Sequence, residues 1–149
     1  MSSPALYLLD TTIVIHYARG KTVGQQVEAD YSLLTTPYRP LICIVTQGEA
    51  LAFAKKRGWG TAKVVAIKHI LSQFVSVDIS DSKIVEAYAD IDSYSKSIGR
   101  DKMGKNDLWI AAVAHVGNAT LMTTDGDFDH LAGTRLKLIR IDQTTGTTI

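Results

Sequence analysis

The feature of this chain that most limits its fold is the regular alternation of short apolar runs with longer segments of helical pattern. Each apolar run has the composition of a strand buried on both faces, and the runs span residues 6–9, 41–45, 74–77, 120–123 and 136–141. The helical patterns between them cover residues 13–18, 23–34, 47–57, 61–72, 81–98 and 107–116. Neighbouring parallel strands need crossover connections, which are usually helices. The sequence therefore predicts an α/β fold, a three-layer α/β/α sandwich around a central, mostly parallel sheet.

Length and composition narrow the class of protein further. At 149 residues the chain can bury one core but is too short for two ordinary domains, so a single domain over residues 1–149 is predicted. The formal net charge of +1 means that nucleic-acid binding would have to depend on local charge. Cys43, the only cysteine, lies in an apolar run and predicts a buried thiol without a disulfide, which fits a reducing compartment.

Targeting signals are not recognised in the sequence. Residues 1–4 lack the charged start of a signal peptide, and no apolar stretch approaches the roughly 18 residues of a membrane span. We therefore expect a cytoplasmic protein that has no membrane contact.

Four acidic residues follow predicted strands, or begin helices, on what would be one edge of the sheet: Asp10, Glu49, Asp107 and Asp125. In a parallel sheet, ligands bind at the edge formed by the carboxyl ends of the strands. Each acid also has an ordinary structural alternative. Asp10 can cap a helix, Glu49 can close a capping box with Thr46, Asp107 can complement a helix dipole, and Asp125 can shape a turn.

Convergence of four carboxylates favours a metal site over four separate structural roles. Converging carboxylates repel one another unless they are protonated or bound to a cation. No cysteine, and no histidine at a suitable spacing, accompanies them, so the hard oxygen ligands favour Mg²⁺ or Mn²⁺ over Zn²⁺. Such ions lower the pKa of a bound water and polarise phosphoryl oxygens, which predicts phosphoryl chemistry. The central element is the apolar helix that carries Asp107, with Asn106 expected as its N-cap.

Four parts of the sequence resemble the signatures of the PIN-domain nucleases and, among them, of the bacterial VapC-type toxins. They are LLDTT at residues 8–12, the acid at position 49 in the helix after the second strand, NDLWIAA at residues 106–112 and TTDGDF at residues 123–128. The resemblance implies the strand order 3-2-1-4-5 and a metal-dependent endoribonuclease that cleaves RNA phosphodiesters with metal-activated water. Thr12 departs from the family pattern, which more often has Asn or Ser there.

The resemblance also implies which residues act. One or two divalent ions would be held by the acids that match the family's pattern, with one further acid close enough to contribute: Asp10, Glu49, Asp107, Asp125 and Asp127. Thr11 and Asn106 are expected to contact these acids and orient them without binding the metal themselves. If the resemblance extends to biology, the chain is the toxin of a toxin–antitoxin pair, inhibited by a small antitoxin, and forms a homodimer. The alternative is a non-catalytic PIN-fold interaction module that binds a basic partner through its acidic edge.

Basic residues near the acids are candidates for RNA binding. Arg100, Lys102 and Lys105 directly precede Asp107 and are expected to hold the RNA backbone. By contrast, the basic residues 55–57 are expected at the far end of their helix from the acids, in solvent, and the aromatic residues Phe53, Trp59 and Trp109 in the core. The segment GRDKMGKN at residues 99–106 resembles a phosphate-binding P-loop, but it lacks the final Ser or Thr and follows a helix instead of a strand, so nucleotide hydrolysis is not favoured.

Overall fold

The computed structural model describes residues 5–149 and contains five short strands. They are β1 Tyr7–Leu9, β2 Leu41–Cys43, β3 Val75–Val77, β4 Thr120–Thr123 and β5 Lys137–Arg140. All four strand pairs are parallel, and the order is β3-β2-β1-β4-β5, which confirms the predicted α/β class and strand order. The prediction that no signal peptide is present rests on residues 1–4, which lie outside the described residues.

The helices follow the predicted alternation with different bounds. They are α1 Thr11–Arg19, α2 Thr22–Tyr31, α3 Ile44–Lys56, α4 Thr61–Ser72, α5 Ser82–Ser97 and α6 Lys105–Val116. A 3₁₀-helix, Gly126–Leu131, follows β4. No helix within residues 5–149 has both the length and the apolar character that a membrane crossing requires.

Two predicted helix caps are wrong because both helices begin earlier than their sequence signals suggest. Helix α3 follows β2 without a loop, so its N-cap is Cys43, and the Thr46 and Glu49 side chains lie inside the helix instead of forming a capping box. Helix α6 begins after Gly104, which leaves Asn106 within its first turn. The Ser/Thr-x-x-Glu spacing arises equally in a cap and inside a helix, so it did not locate the helix start.

Alternate residues of the central strands belong to two different hydrophobic cores. Leu8 and Leu121 lie in the core that is completed by α5 and α6. Leu9 and Met122, their neighbours in sequence, lie in the core that includes side chains of α1, α2 and α4. Successive side chains of a strand point to opposite faces of the sheet, so these continuous apolar runs hold helices on both faces. The three-layer arrangement follows directly from that pattern.

The order of the strands fixes where a cleft opens. From β1 the chain builds β2 and β3 on one side of the sheet, and then returns to place β4 and β5 on the other. The helix after β1 packs into one core and the 3₁₀-helix after β4 packs into the other. Where the strand order reverses in this way, a crevice is expected at the carboxyl ends of the two strands. Asp10 and Thr123 lie at those strand ends.

Candidate metal centre

The four acids predicted to converge line one open pocket at the carboxyl edge of the sheet. This pocket has a volume of about 640 Å³, and its lining includes Asp10, Glu49, Asp107 and Asp125. Asp127, the fifth predicted ligand, is more exposed and lines the neighbouring hollow. Acids from four separate segments of the chain thus meet at one edge, as the parallel-sheet rule predicts.

Three of the acids lie closest together. Asp107, Asp125 and Asp127 each offer a carboxylate oxygen, and these three oxygens lie within 4.8 Å of one another. Asp107 projects from the first turn of α6. Asp125 is the N-cap of the 3₁₀-helix, where its Oδ1 accepts a hydrogen bond of 3.0 Å from the backbone N–H of Asp127. We call these three residues the acidic triad.

Burial and neighbouring negative charges together favour the protonated form of Asp107. Burial raises the pKa of its carboxyl group to about 7, and the charges of Asp10, Asp125, Glu49 and Asp127 contribute in the same direction. Without a cation, this carboxyl group therefore binds a proton much more readily than an ordinary aspartate does. Within residues 5–149, none of the acidic triad forms an ion pair that would relieve the repulsion.

The donor set fits a hard divalent cation. The acidic triad offers only carboxylate oxygens, which suit Mg²⁺, Mn²⁺ or Ca²⁺ better than the softer metals bound by thiolate. Cys43 is packed in the core formed with α5 and α6, so its thiol is occupied by apolar contacts. A cation at the acidic triad would also remove the repulsion that raises the pKa of Asp107. A group of three acids that could hold a metal ion is therefore present.

Both carboxylate oxygens of Asp10 accept hydrogen bonds from the chain. Its Oδ1 accepts from the backbone N–H of Thr11 at 2.8 Å, and its Oδ2 accepts from the hydroxyls of Thr123 at 2.7 Å and Thr12 at 3.1 Å. Asp10 is also the N-cap of α1, so its cap role and its position in the pocket coexist. Burial raises its pKa, while the three hydrogen bonds oppose that rise and the charge of Glu49 adds to it.

Glu49 is held by the two residues that were expected to support the ligands. The Thr11 hydroxyl donates to its Oε1 at 2.6 Å, and the Asn106 amide donates to its Oε2 at 3.2 Å. The Thr46 hydroxyl lies 3.0 Å from that of Thr11. Asn106 therefore ties α6 to α3 instead of capping its own helix.

Three threonines near the site were not among the residues predicted to act. Thr12, where the chain departs from the family pattern, donates to Asp10 and accepts from the backbone N–H of Thr124 at 3.2 Å. Thr123 donates to Asp10 and accepts from the backbone N–H of Asp125 at 2.9 Å. Thr46 contacts Thr11. In the sequence each resembles an ordinary strand or helix residue, and only the position of Thr12 and Thr123 at strand ends hints at the contacts.

The basic residues divide between two sides of the acids. Arg100 and Lys102 line a hollow of about 320 Å³ together with Asp127 and His130, whereas Lys105 is exposed and lines neither this hollow nor the acidic pocket. The expectation that Lys56 lies far from the acids is wrong, because it lines the acidic pocket.

Helical periodicity explains why Lys56 of α3 lies near the acids. The side chains at positions 49, 53 and 56 follow the i, i+4, i+7 spacing of one helix face. Phe53 and Lys56 therefore line the same pocket as Glu49, and Phe53 is only half-buried.

Comparison with known proteins agrees with this architecture. The family model for the PIN domain matches residues 7–134. VapBC-1 from nontypeable Haemophilus influenzae is 25% identical with a TM-score of 0.72, over 91% of this chain and 97% of the matched chain. VapBC-5 from Mycobacterium tuberculosis, a member of the VapBC family of toxin-antitoxin systems, is 25% identical with a TM-score of 0.67, over 93% and 100%.

A third solved structure shares the fold at lower identity. VapBC2 from Rickettsia felis, bound to a DNA fragment from its promoter, is 22% identical with a TM-score of 0.74, over 89% of this chain and 96% of the matched chain. No curated protein sequence matches the chain significantly. The family match covers most of the chain, and the sheet order and the edge that gathers the acids agree with it. This chain belongs to the PIN-domain family, and its structural neighbours include VapBC toxin–antitoxin proteins.

Proposed function

We propose that this chain is a Mg²⁺- or Mn²⁺-dependent endoribonuclease that hydrolyses RNA phosphodiesters, and that it is the toxin of a toxin–antitoxin pair. The observation that carries the proposal is the convergence of the acidic triad, two of whose members line the same pocket as Asp10 and Glu49, in a PIN-domain fold. In the proposal, residues 1–149 form a single domain.

The proposed metal ligands are the acidic triad together with Asp10 and Glu49. A bound divalent ion would lower the pKa of a coordinated water and polarise a phosphoryl oxygen, which is the chemistry that hydrolysis of a phosphodiester requires. The chain supplies the negative charge that attracts such an ion, since no lysine or arginine within residues 5–149 forms an ion pair with these acids.

The chain also supplies the rigidity that a metal site requires. Asp10 is fixed by three donors, and Glu49 is fixed from both sides by Thr11 and Asn106. Hydrogen bonds to the carboxylates of a metal site orient them, and their loss typically lowers metal affinity or activity. The threonine hydroxyls are therefore proposed to hold Asp10 and Glu49 in position before an ion binds.

Arg100, Lys102 and Lys105 are proposed to contact the RNA backbone. Arg100 and Lys102 share a hollow with Asp127, which puts two cations next to the acidic triad. A phosphate there would be balanced by these cations while the neighbouring phosphodiester lies at the acids. Lys105, exposed at the first residue of α6, would act further out on the same side.

A small antitoxin is the proposed protein partner. The structural neighbours at 25% identity are VapBC proteins, of which one is described as a member of a toxin-antitoxin family. A homodimer and a cytoplasmic location are proposed with it, on the family resemblance. An antitoxin that covers the acidic pocket would block access of RNA to the proposed ligands.

The function is tested by incubating the purified protein with structured RNA in Mg²⁺ or Mn²⁺, and in EDTA. We expect internal cleavage with either ion, none in EDTA, and none by Asp107→Asn. Glu86→Gln, which removes an exposed acid from α5 on a face that lines neither hollow, serves as the control and should cleave normally. Cleavage that persists in EDTA or in Asp107→Asn contradicts the metal mechanism, and failure to cleave any RNA favours the non-catalytic interaction module.

A further inference from the structure

The end of α3 and the start of α4 carry an array of cations held against aromatic rings. The rings of Phe53 and Trp59 meet edge to face, with centroids 5.6 Å apart and an interplanar angle of 85°. The guanidinium carbons of Arg19 and Arg57 lie 5.3 and 5.0 Å from the centroid of Phe53. The Lys63 ammonium lies 5.6 Å from the centroid of the Trp59 ring. We call the following residues the cation–aromatic surface: Arg19, Phe53, Lys56, Arg57, Trp59 and Lys63.

The positive charge of this surface is available to a ligand. Within residues 5–149, Arg19, Lys56, Arg57 and Lys63 form no ion pair with a carboxylate. All four side chains are exposed. Contact with the rings attracts three of these cations through the ring quadrupole and restricts their motion without neutralising them. Such cations lose less conformational entropy than free lysines when they bind an anion.

The cation–aromatic surface is continuous with the acidic pocket. Phe53 and Lys56 line that pocket directly. Arg57, Trp59 and Lys63 line an adjoining hollow of about 550 Å³ at the turn between α3 and α4. A ligand chain lying on this surface would therefore enter the space that holds Asp107 and Asp125.

We propose that the cation–aromatic surface binds a single-stranded RNA segment next to the bond that is cleaved, with phosphates at the cations and bases stacked on the guanidinium planes that the aromatic rings hold in place. This inference rests on the proposed function, and it places RNA on the α3 side of the acids as well as at Arg100 and Lys102. The strand then crosses the acidic triad from one basic side to the other.

The combination of charges and rings favours RNA over an acidic polypeptide. Proteins that bind single-stranded nucleic acid pair a positively charged path with aromatic side chains, because each nucleotide offers both a phosphate and a stacking base. An acidic polypeptide would engage the cations alone. Arg19 and Arg57 lie over the Phe53 ring, and their planar guanidinium groups give the surface the second kind of contact, because bases stack on guanidinium planes as they do on aromatic rings.

The test compares RNA binding by two double variants. Arg57→Gln with Lys63→Gln removes two cations from the surface, and Lys83→Gln with Lys137→Gln removes two exposed lysines from α5 and β5 as a matched control. Fluorescence anisotropy with an unstructured oligoribonucleotide in EDTA gives Kd over a range of salt without cleavage. We expect the surface variant to bind on the order of tenfold more weakly at low salt, with a slope of log K against log salt less steep by about 1.4. The control should match the wild type.

Each other outcome overturns the inference or separates it from the proposed function. If the wild type cleaves RNA with Mn²⁺ and the surface variant binds like the wild type, the surface inference fails and the function stands. If the wild type binds RNA with the expected loss in the variant but never cleaves, the function fails and the surface stands. Wild-type protein that binds polyglutamate and no RNA, or that binds neither, overturns the surface as an RNA site. If the double variant melts at a lower temperature than the wild type, the single variant Lys63→Gln is used in its place, and the slope of log K against log salt should then change by about half as much.

Discussion

The acids of the candidate site are of two kinds. Asp10 and Glu49 receive hydrogen bonds from the chain on both of their oxygens. Within residues 5–149, the carboxylates of Asp107 and Asp127 receive none, although with Asp125 they lie within 4.8 Å of one another. The fold thus fixes the first pair in place and leaves the acidic triad with repulsion that only a proton or a cation relieves. We therefore interpret Asp10 and Glu49 as acids that the fold holds in position, which we call the frame of the site, and the acidic triad as the group that binds an ion.

The largest expected effect is on RNA cleavage, and it distinguishes Asp125 of the acidic triad from Asp129, which forms an ion pair. Asp125→Asn should reduce RNA cleavage by at least about a thousandfold, because a metal ion supplies several kcal/mol of transition-state stabilisation. Asp129→Asn should stay within about twofold of the wild type, since Asp129 is paired with Arg140 at 2.8 Å. Equal losses in the two variants, measured as kcat/KM with Mn²⁺, would contradict the division between the two kinds of acid.

The next effect concerns the frame of the site. Thr123→Val removes a buried hydroxyl that donates to Asp10 and accepts from Asp125, so it should lower the free energy of unfolding by about 1–3 kcal/mol. Thr120→Val is the control, because the Thr120 hydroxyl, in the same strand, makes no hydrogen bond within the described residues. Urea denaturation measures both. A Thr123→Val protein as stable as the control would show that these contacts do not hold the frame together.

A smaller effect is expected where α6 is tied to α3. Asn106→Ala removes the 3.2 Å hydrogen bond to Glu49, and the loss of such support typically costs tenfold or more in metal affinity. We expect about a tenfold weaker Mn²⁺ affinity. The helix should be retained, because Asn106 is not its N-cap. A large loss of helix signal in circular dichroism would indicate that Asn106 does cap the helix. An unchanged Mn²⁺ affinity would show that its hydrogen bond to Glu49 does not support metal binding.

A further expected effect is the pH dependence of the metal-free protein. The pKa of Asp107 is raised in the folded state from 3.8 to about 7. Its contribution to stability is therefore fully present below the unfolded pKa and is lost as pH rises towards the folded pKa. In EDTA, the stability of the wild type relative to Asp107→Asn should fall between about pH 4 and 7. Urea denaturation across that range checks this, and a difference that stays constant or grows contradicts it.

The sequence predicted which acids meet, because strand ends in a parallel sheet share one edge. Asp10 and Asp125 lie there for that reason, and Glu49 and Asp107 reach the same pocket from helices. The sheet order came from the family resemblance, since alternation of strands and helices alone does not choose among parallel orders. Helical periodicity in α3 would also have predicted that Phe53 and Lys56 share a face with Glu49.

Other features could not be predicted because they depend on distances between remote segments. Asn106 has the side chain of a good N-cap, yet α6 begins two residues too early for that role, and the Asn106 amide donates to Glu49 instead. Thr123 has the composition of an ordinary strand residue, and its contact with Asp10 joins positions far apart in the chain. Local sequence spacing predicts whether such a residue lies in a strand or caps a helix. Only the folded structure shows which carboxylate accepts a hydrogen bond from each side chain.

The most direct test of the acidic triad as a metal centre is isothermal titration calorimetry with Mn²⁺ near neutral pH, which measures binding of the ion without RNA. We expect the wild type and Asp129→Asn to bind alike, and Asp125→Asn to bind at least tenfold more weakly, because it removes one of three converging carboxylates. Binding by Asp125→Asn as tight as that of the wild type, or no Mn²⁺ binding by the wild type, would contradict the acidic triad as a metal centre.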